Sequence, residues 1–108
     1  MTVKQLALAH NMKEICLPRP EREVKGGYTG DLLSWVMGRA GQDNAWVTIM
    51  SNINTVAVAT LSDVAVIILA EGVALSDDIV ATAREKEINI LSTDKSAFEI
   101  IAEISADI

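Results

Sequence analysis

The sequence contains few of the side chains on which metal sites and redox centres depend. It has a single cysteine, Cys16, and a single histidine, His10. One cysteine excludes an internal disulfide and is typical of a reducing compartment. A zinc or iron–sulfur site needs several soft ligands, and this chain cannot supply two of either kind. We therefore expect no metal and no cofactor.

Patterns typical of catalysis are also lacking. The chain has no GxSxG nucleophile elbow, and its acidic pairs have simpler explanations. Asp77 and Asp78 fall in the first turn of a predicted helix, where carboxylates favour the helix dipole. Glu85 and Glu87 suit a solvated helix face. With no general base evident beyond ordinary carboxylates, we expect that the protein is not an enzyme.

Positive charge is scarce. Nine Lys and Arg stand against 15 Asp and Glu, giving a formal net charge of −6. The imbalance lies in residues 55–108, which carry ten acids and three bases, whereas residues 1–54 carry five and six. Without a basic stripe, nucleic acid is excluded as a partner, and an anionic membrane surface is disfavoured.

Long hydrophobic runs are absent too. The longest covers residues 64–70, far too short to cross a bilayer, and the amino terminus lacks the apolar core of a signal peptide. We therefore expect a cytoplasmic protein. Its 108 residues fit a single domain, residues 1–108.

What the sequence does contain is an alternation of apolar patterns. Aromatics make up only 4%, so Val, Ile, Leu and Ala must build the core. Helices are predicted over residues 3–9, 30–40, 54–63, 77–86 and 94–106, and strands over residues 12–17, 22–27, 45–50, 64–70 and 88–93. The order predicts an α/β fold with three α/β/α layers and a mostly parallel sheet of about five strands.

One segment, KGGYTGDLLSWVMGRAG at residues 25–41, suggests a phosphate site. Glycines before a helix can leave backbone N–H groups free to hold an anion. The segment matches neither GxxxxGK[ST] nor GxGxxG, however, and Asp31 is predicted in the first helical turn, where it would occupy the positive end. Gly41 is the predicted C-cap. A plain turn is favoured, and Gly26, Gly27, Tyr28 and Asp31 remain ligand candidates.

Polar clusters follow three predicted strands. Ligands of parallel sheets gather beyond the carboxyl ends of the strands, which makes these clusters candidate sites. Helix capping, by Asn54 and Thr93 in particular, is the alternative explanation. The clusters are Ser51, Asn52 and Asn54; Glu71 and Gly72; and Ser92, Thr93 and Asp94.

Three aromatic positions are assigned by their context. Trp46 lies in a strand and is predicted in the core. Trp35 lies beside the apolar stripe of its helix, so with Met37 it is a candidate contact in a homodimer. Phe98 is predicted on the buried face of the last helix.

Three segments carry a resemblance to a known family. They are GGYTGDLLSWVMGRA, WVTIMSNINTVAVATLSDVAVIIL and INILSTDKSAFEIIAEI, which together span nearly the whole chain. They resemble the DRTGG domain family, which is itself similar to the N-terminal domain of HPr kinase/phosphorylase. The family's namesake motif is Asp-Arg-Thr-Gly-Gly. At the corresponding positions, Glu23 to Gly27, this chain keeps only the two glycines.

The resemblance implies an α/β/α fold and a regulatory role. Domains of this family accompany catalytic domains, often at subunit interfaces, and are not known to catalyse a reaction. We therefore expect a ligand-sensing module, a homodimer that binds a nucleotide or phosphorylated metabolite. The alternative is an interaction subunit that docks on a metabolic enzyme or a phosphocarrier.

Overall fold

The computed structural model describes residues 1–108 as one five-stranded sheet with helices on both faces. The strands are β1 (Lys13–Cys16), β2 (Gly26–Thr29), β3 (Asn44–Thr48), β4 (Val66–Leu69) and β5 (Ile90–Ser92). The helices are α1 (Val3–Ala9), α2 (Leu33–Arg39), α3 (Ile53–Ser62), α4 (Asp77–Glu85) and α5 (Ala97–Ile104), followed by a 3₁₀ turn at Ser105–Asp107.

The sheet has the order β1-β5-β4-β3-β2. Strands β2 to β5 are parallel, and only β1 runs antiparallel, against β5. Each parallel strand lies beside the next one in the chain, so right-handed crossovers place α2, α3 and α4 on one face. Helices α1 and α5 cover the other face. The α/β fold and its three layers are confirmed.

Strands β3 and β4 are buried on both faces. Along β4, Val66 and Ile68 join the core beneath α1 and α5, while Ile67 and Leu69 join the core beneath α2, α3 and α4. A strand covered twice needs apolar side chains at every position, and this explains the unbroken run at residues 64–70.

The helix caps differ from those predicted. Asn52, not Asn54, caps α3, because its Oδ1 accepts from the backbone N–H of Asn54 at 2.9 Å. Helix α5 begins at Ala97, with Ser96 and Glu99 forming a capping box. Residue Thr93 caps no helix, because its N–H donates to Leu69 and its hydroxyl accepts from Lys95 N–H.

The buried face of α5 also differs from the prediction. Phe98 is 82% exposed, whereas Ile100 is fully buried. With about 100° of rotation per residue, two residues apart lie nearly opposite each other. Burial of Ile100 and Ile104 on the sheet therefore turns Phe98 toward solvent, and the prediction for Phe98 was wrong.

One buried amide fastens the proline-containing loop to the sheet. Asn89 is 2% exposed, and its Nδ2 donates to the carbonyls of Arg19, at 2.7 Å, and Ala65, at 3.0 Å. Its Oδ1 accepts from the backbone N–H of Arg19 at 2.9 Å. The side chain thus satisfies three backbone groups of two different segments.

Replacing this amide should destabilise the fold measurably. Asn89→Ala leaves three backbone groups without their partner, so we expect the free energy of unfolding to fall by about 2–3 kcal/mol. Urea denaturation followed by circular dichroism measures the change. Asn54→Ala, at an exposed position, is the control and should change stability by less than about 0.5 kcal/mol. Equal effects of the two variants would contradict this role for Asn89.

Candidate functional site

The two adjacent glycines lie in a strand, not in a turn. Residues Gly26 to Thr29 pair in parallel with Asn44 to Val47, so the predicted strand 22–27 ending at the glycines was misplaced. The peptide before them contributes only an isolated antiparallel bridge between Thr2 and Glu23. Neither glycine has a positive φ, so no left-handed turn requires them.

The predicted start and end of the following helix were also wrong. Helix α2 begins at Leu33, so Asp31 lies before it and not in its first turn. Asp31 Oδ1 instead accepts from Thr48 Oγ1 at 2.7 Å and from the backbone N–H of Ile49 at 3.0 Å, tying this turn to the end of β3. The helix ends at Arg39, and its C-cap is Ala40, not Gly41. The glycines therefore form no phosphate cradle at a helix start.

The register of β2 decides which way its residues face. Tyr28 lies beside Trp46 and packs with the core beneath α2 and α3. Because side chains alternate along a strand, Gly27 and Thr29 face the opposite layer, together with Ala45 and Val47. Gly27 is thus the point on the α5 side of β2 where no side chain projects.

A groove of about 380 Å³ lies above Gly27. Its floor is made by Gly27, Thr29, Ala45 and Val47, and one wall by Ile101, Ile104, Ser105 and Ile108. Lys25 and the backbone of Gly26 and Tyr28 complete the lining. The lining is mainly apolar and contains no Asp or Glu side chain.

The groove exists because α5 packs on β3 and leaves the outer strand uncovered. A Cβ atom added at Gly27 would lie 3.6 Å from the carbonyl oxygen of Ala45, an ordinary contact, and would project into the groove. At Gly26 it would lie 2.8 Å from Nδ2 of Asn44, on the other face. The first glycine makes room for a neighbouring side chain, and the second leaves the groove open.

Hydrogen bonds fix the helical wall of the groove. His10, at the end of α1, places Nε2 2.6 Å from Asp107 and Nδ1 3.4 Å from Glu103. Lys95 Nζ lies 2.6 Å from Glu103 Oε2, and this hydrogen bond is the main reason that the pKa of the Glu103 carboxyl is lowered. The chain end that carries Ile108 is thereby tied to α1.

The polar clusters at the strand ends do not form one pocket. Asn52 caps α3, with Ser51 and Asn54 on either side of the cap. Ser92 and Asp94 line a separate shallow cleft together with Gly72, so the clusters after β4 and β5 meet there. Strand β4 lies between β3 and β5 and keeps the cluster after β3 apart from the cluster after β5. Their role as ligand contacts stays a prediction.

The two tryptophans have the exposure expected from the sequence, Trp46 in the core and Trp35 half-exposed on α2. Trp46 is fully buried, and its Nε1 donates to the carbonyl of Gly30 at 3.0 Å. Trp35 is 55% exposed, with the Arg39 guanidinium 3.9 Å from its ring centre, and Met37 is also exposed. The exposed Leu32 completes an apolar surface on α2.

The remaining reactive groups offer little chemistry. Burial raises the pKa of the Cys16 thiol, so the thiolate that could act as a nucleophile is disfavoured. No three His, Cys, Asp or Glu side chains converge as a metal site would require. None of the helices has both the length and the apolar character needed to cross a membrane.

The DRTGG domain family matches residues 35–106. This chain belongs to the DRTGG domain family. The segment set against the namesake motif, Glu23 to Gly27, lies outside the matched residues, so that correspondence stays a prediction. The same holds for the likeness to the N-terminal domain of HPr kinase/phosphorylase. No curated protein matches the sequence.

Among solved structures, the chain is similar to the CBS and DRTGG domains of the regulatory region of a Clostridium perfringens pyrophosphatase, complexed with the activator diadenosine tetraphosphate. The TM-score is 0.73 and the sequence identity 10%. The similarity covers 94% of this chain and 44% of the neighbour, so this DRTGG domain spans less than half of that regulatory region.

The groove wall could not have been found from the sequence. Ile101 and Ile104 were predicted as ordinary core positions of a helix, and only the packing of α5 on β3 turns them toward β2. Ile108 lies beyond the predicted helix. The floor carried one signal, a pair of glycines beside a β-forming Tyr-Thr pair. Two glycines in a strand often mark a place where something approaches the backbone.

The two glycines should respond oppositely to alanine. Gly26→Ala collides with Asn44, whose Oδ1 accepts from Gly41 N–H at 2.8 Å, so we expect a loss of about 1–2 kcal/mol in the free energy of unfolding. Gly27→Ala meets only open groove and should be neutral or stabilising by up to about 1 kcal/mol. Urea denaturation measures the free energy of unfolding of both variants. A destabilised Gly27→Ala would contradict the presence of an open groove above this residue.

Proposed function

We propose that this chain is a non-catalytic regulatory domain that binds a small molecule in the groove above Gly27. The observation that carries the proposal is the groove itself: an apolar cleft of about 380 Å³, opened by one glycine and walled by three isoleucines. Ligand sites are typically concave, mostly apolar and supplied with a few polar groups. Its polar side chains are Lys25, Thr29 and Ser105, and none of them is paired with a histidine or a carboxylate side chain in the lining.

The lining suits a planar ring with an anionic tail. The peptide plane at Gly27 offers a flat floor, and Ile101 and Ile104 offer an apolar wall. Lys25, with 68% of its side chain exposed and its Nζ 3.9 Å from Asp43 Oδ2, can turn toward a phosphate at the rim. The Tyr28 ring packs on the other face, so only its backbone serves the ligand.

A nucleotide is the first class of ligand to test. The solved relative is a regulatory region complexed with a dinucleotide activator, diadenosine tetraphosphate. A purine fits the flat apolar floor, and a phosphate fits the single cation at the rim. The net charge of −6 would weaken binding of a polyanion, so Lys25 carries the electrostatic part of the affinity.

For such a domain to regulate a partner, ligand binding must change the conformation of another part of the assembly. We propose that the domain acts in the cytoplasm as a homodimer that accompanies a partner enzyme. Family membership supports this view, since the similar pyrophosphatase domains form part of a regulatory region. Differential affinity of the ligand for two states of the assembly would provide the coupling.

The second candidate is a domain that only binds another protein. The exposed apolar surface of Leu32, Trp35 and Met37 favours it, because Trp and Met are enriched in protein interfaces. This candidate needs no ligand in the groove. It becomes the better account if no small molecule stabilises the fold.

Ligand binding should raise the melting temperature of the wild type. We expect an adenine nucleotide present at about 100 times its Kd to stabilise the fold by about 2.7 kcal/mol, which a thermal-shift assay detects easily. Gly27→Val fills the groove without disturbing the sheet and should abolish the shift. Asn54→Ala, in the strand-end cluster, is the control and should retain it.

Two results would contradict the proposal. One is the absence of any shift with nucleotides and phosphorylated metabolites. The other is a shift that Gly27→Val retains and Asn54→Ala loses, which would move the ligand to the end of β3.

A further inference from the structure

The shallow cleft beyond the carboxyl ends of β4 and β5, called the β4–β5 cleft below, lies where the sheet changes its connections. The chain leaves β4 toward α4 on one face and leaves β5 toward α5 on the other face. Neighbouring parallel strands with this arrangement form the topological switch point of a sheet, and ligands of open α/β sheets bind there. No other pair of neighbouring parallel strands in this sheet has it. The cleft has a volume of about 420 Å³.

Backbone hydrogen bonds hold together the two loops that form the β4–β5 cleft. Glu71 N–H donates to the carbonyl of Lys95 at 2.8 Å, and Gly72 N–H donates to that of Thr93 at 2.9 Å. Gly72 has a φ of 70°, and a Cβ atom there would lie 3.1 Å from Oδ1 of Asp94. Glycine at this position therefore leaves room for the Asp94 carboxylate beside the loop that follows β4.

Strand β1 places a cation on the other side of the cleft. Lys13 lies directly opposite Ser92 in the antiparallel pair, so the two side chains share one face of the sheet. Ser92 comes two residues after Ile90, which belongs to the core beneath α2, α3 and α4, so this is the face that α4 covers. In the sheet order β1-β5-β4, the cleft thus has the Lys13 ammonium on the β1 side, the Ser92 hydroxyl in the middle and the Asp94 carboxylate on the β4 side.

The charges that line the cleft lack partners within the protein. None of the ion pairs of this chain includes Lys13, Asp77 or Asp94, although all three residues line the cleft. Glu14, the remaining charged residue of the lining, is paired with Lys4 at 2.7 Å. One free ammonium group and two free carboxylates are complementary to a small ligand that carries both signs of charge.

The lining also includes an apolar surface. Ile15, Leu75 and Val80 contribute to it, and each packs against the core beneath α2, α3 and α4 while part of its side chain stays exposed. Covering this surface with an aliphatic group removes apolar area from water on both molecules. The cleft therefore suits a ligand whose two charges are accompanied by a short hydrocarbon chain.

We propose that the β4–β5 cleft binds a free α-amino acid with an aliphatic side chain. The Lys13 ammonium and the Ser92 hydroxyl bind its carboxylate, and Asp94, with Asp77 as a second carboxylate, binds its ammonium group. A lysine side chain is long enough to cross the spacing of about 4.8 Å between β1 and β5, so Lys13 reaches a ligand that also contacts Asp94. The site is separate from the groove above Gly27, and the inference does not rest on the proposed function.

The same charges disfavour a nucleotide in this cleft. Two carboxylates repel a phosphate, whereas the groove above Gly27 has no Asp or Glu side chain in its lining. The two sites therefore differ in the class of ligand that each one selects.

Titration of the ¹⁵N-labelled protein with L-leucine tests the site. We expect saturable shifts of the amide signals of Gly72, Ser92 and Asp94 at millimolar concentrations of leucine. The signals of Gly26 and Gly27, in the other site, should stay where they are.

Two matched variants test the role of the carboxylate. Asp94→Asn removes the charge that holds the ammonium group and should raise the dissociation constant for leucine about fivefold or more. Asp78→Asn is the control, because Asp78 lies beside Asp77 in the first turn of α4 but outside the lining, and it should bind leucine as the wild type does. All three positions are exposed, and circular dichroism establishes that the variants fold.

An analogue of leucine assigns its two charged groups to their contacts. Isopentylamine has the side chain and the amino group of leucine but lacks the carboxylate. Lys13→Gln should therefore weaken the binding of leucine about fivefold or more and leave that of isopentylamine unchanged. Asp94→Asn should weaken the binding of both.

Four results overturn the inference. They are the absence of saturable shifts with leucine, shifts at Gly26 and Gly27 in place of the cleft, equal effects of Asp94→Asn and Asp78→Asn, and a loss of isopentylamine binding in Lys13→Gln. None of them bears on the nucleotide proposed for the groove above Gly27, whose own titration succeeds or fails separately.

Discussion

The burial of β3 and β4 on both faces is the constraint on which the rest of this structure depends. Residues 64–70 offer no polar position, so the sheet must be covered by helices on two sides. Three right-handed crossovers place helices α2, α3 and α4 on one face. The other face is left to α1 and α5, and these two do not reach β2.

The proposed ligand site depends on the uncovered face of β2. A larger residue at Gly27 would partly fill the space beside α5, and glycine leaves it as a groove. The wall opposite is held by contacts far apart in the chain, since His10 on α1 ties Asp107 beyond α5. The groove is thus a consequence of where the covering layer ends, and the lack of a side chain at Gly27 preserves it.

The sequence predicts the layers of this fold well, because they follow from local patterns. The buried run at residues 64–70 and the burial of Trp46 each show in a few neighbouring residues, whereas the helix at residues 54–63 was predicted from its place between two strands. The errors arose where tertiary contacts override local preference. Asp31 reads as a helix-start carboxylate until Thr48 and Ile49 approach it, and Phe98 reads as core until Ile100 takes that place.

The site is harder to predict than the fold for the same reason. Gly26 and Gly27 were singled out from the sequence, yet as a turn before a helix and not as the floor of a groove. Their partners Ile101 and Ile104 are more than seventy residues away, and no local pattern connects them. The DRTGG family resemblance seen in the sequence is confirmed, and the fold is similar to that of a pyrophosphatase region described as regulatory.

The central claim is that the ligand binds above Gly27, and amide chemical shifts of the ¹⁵N-labelled wild type test it most directly. On titration with an adenine nucleotide, we expect the largest shifts at Gly26, Gly27 and the Ile101–Ile104 turn of α5. Shifts confined to the Ser51–Asn54 loop or to Ser92 and Thr93, or no shifts at all, would contradict the account.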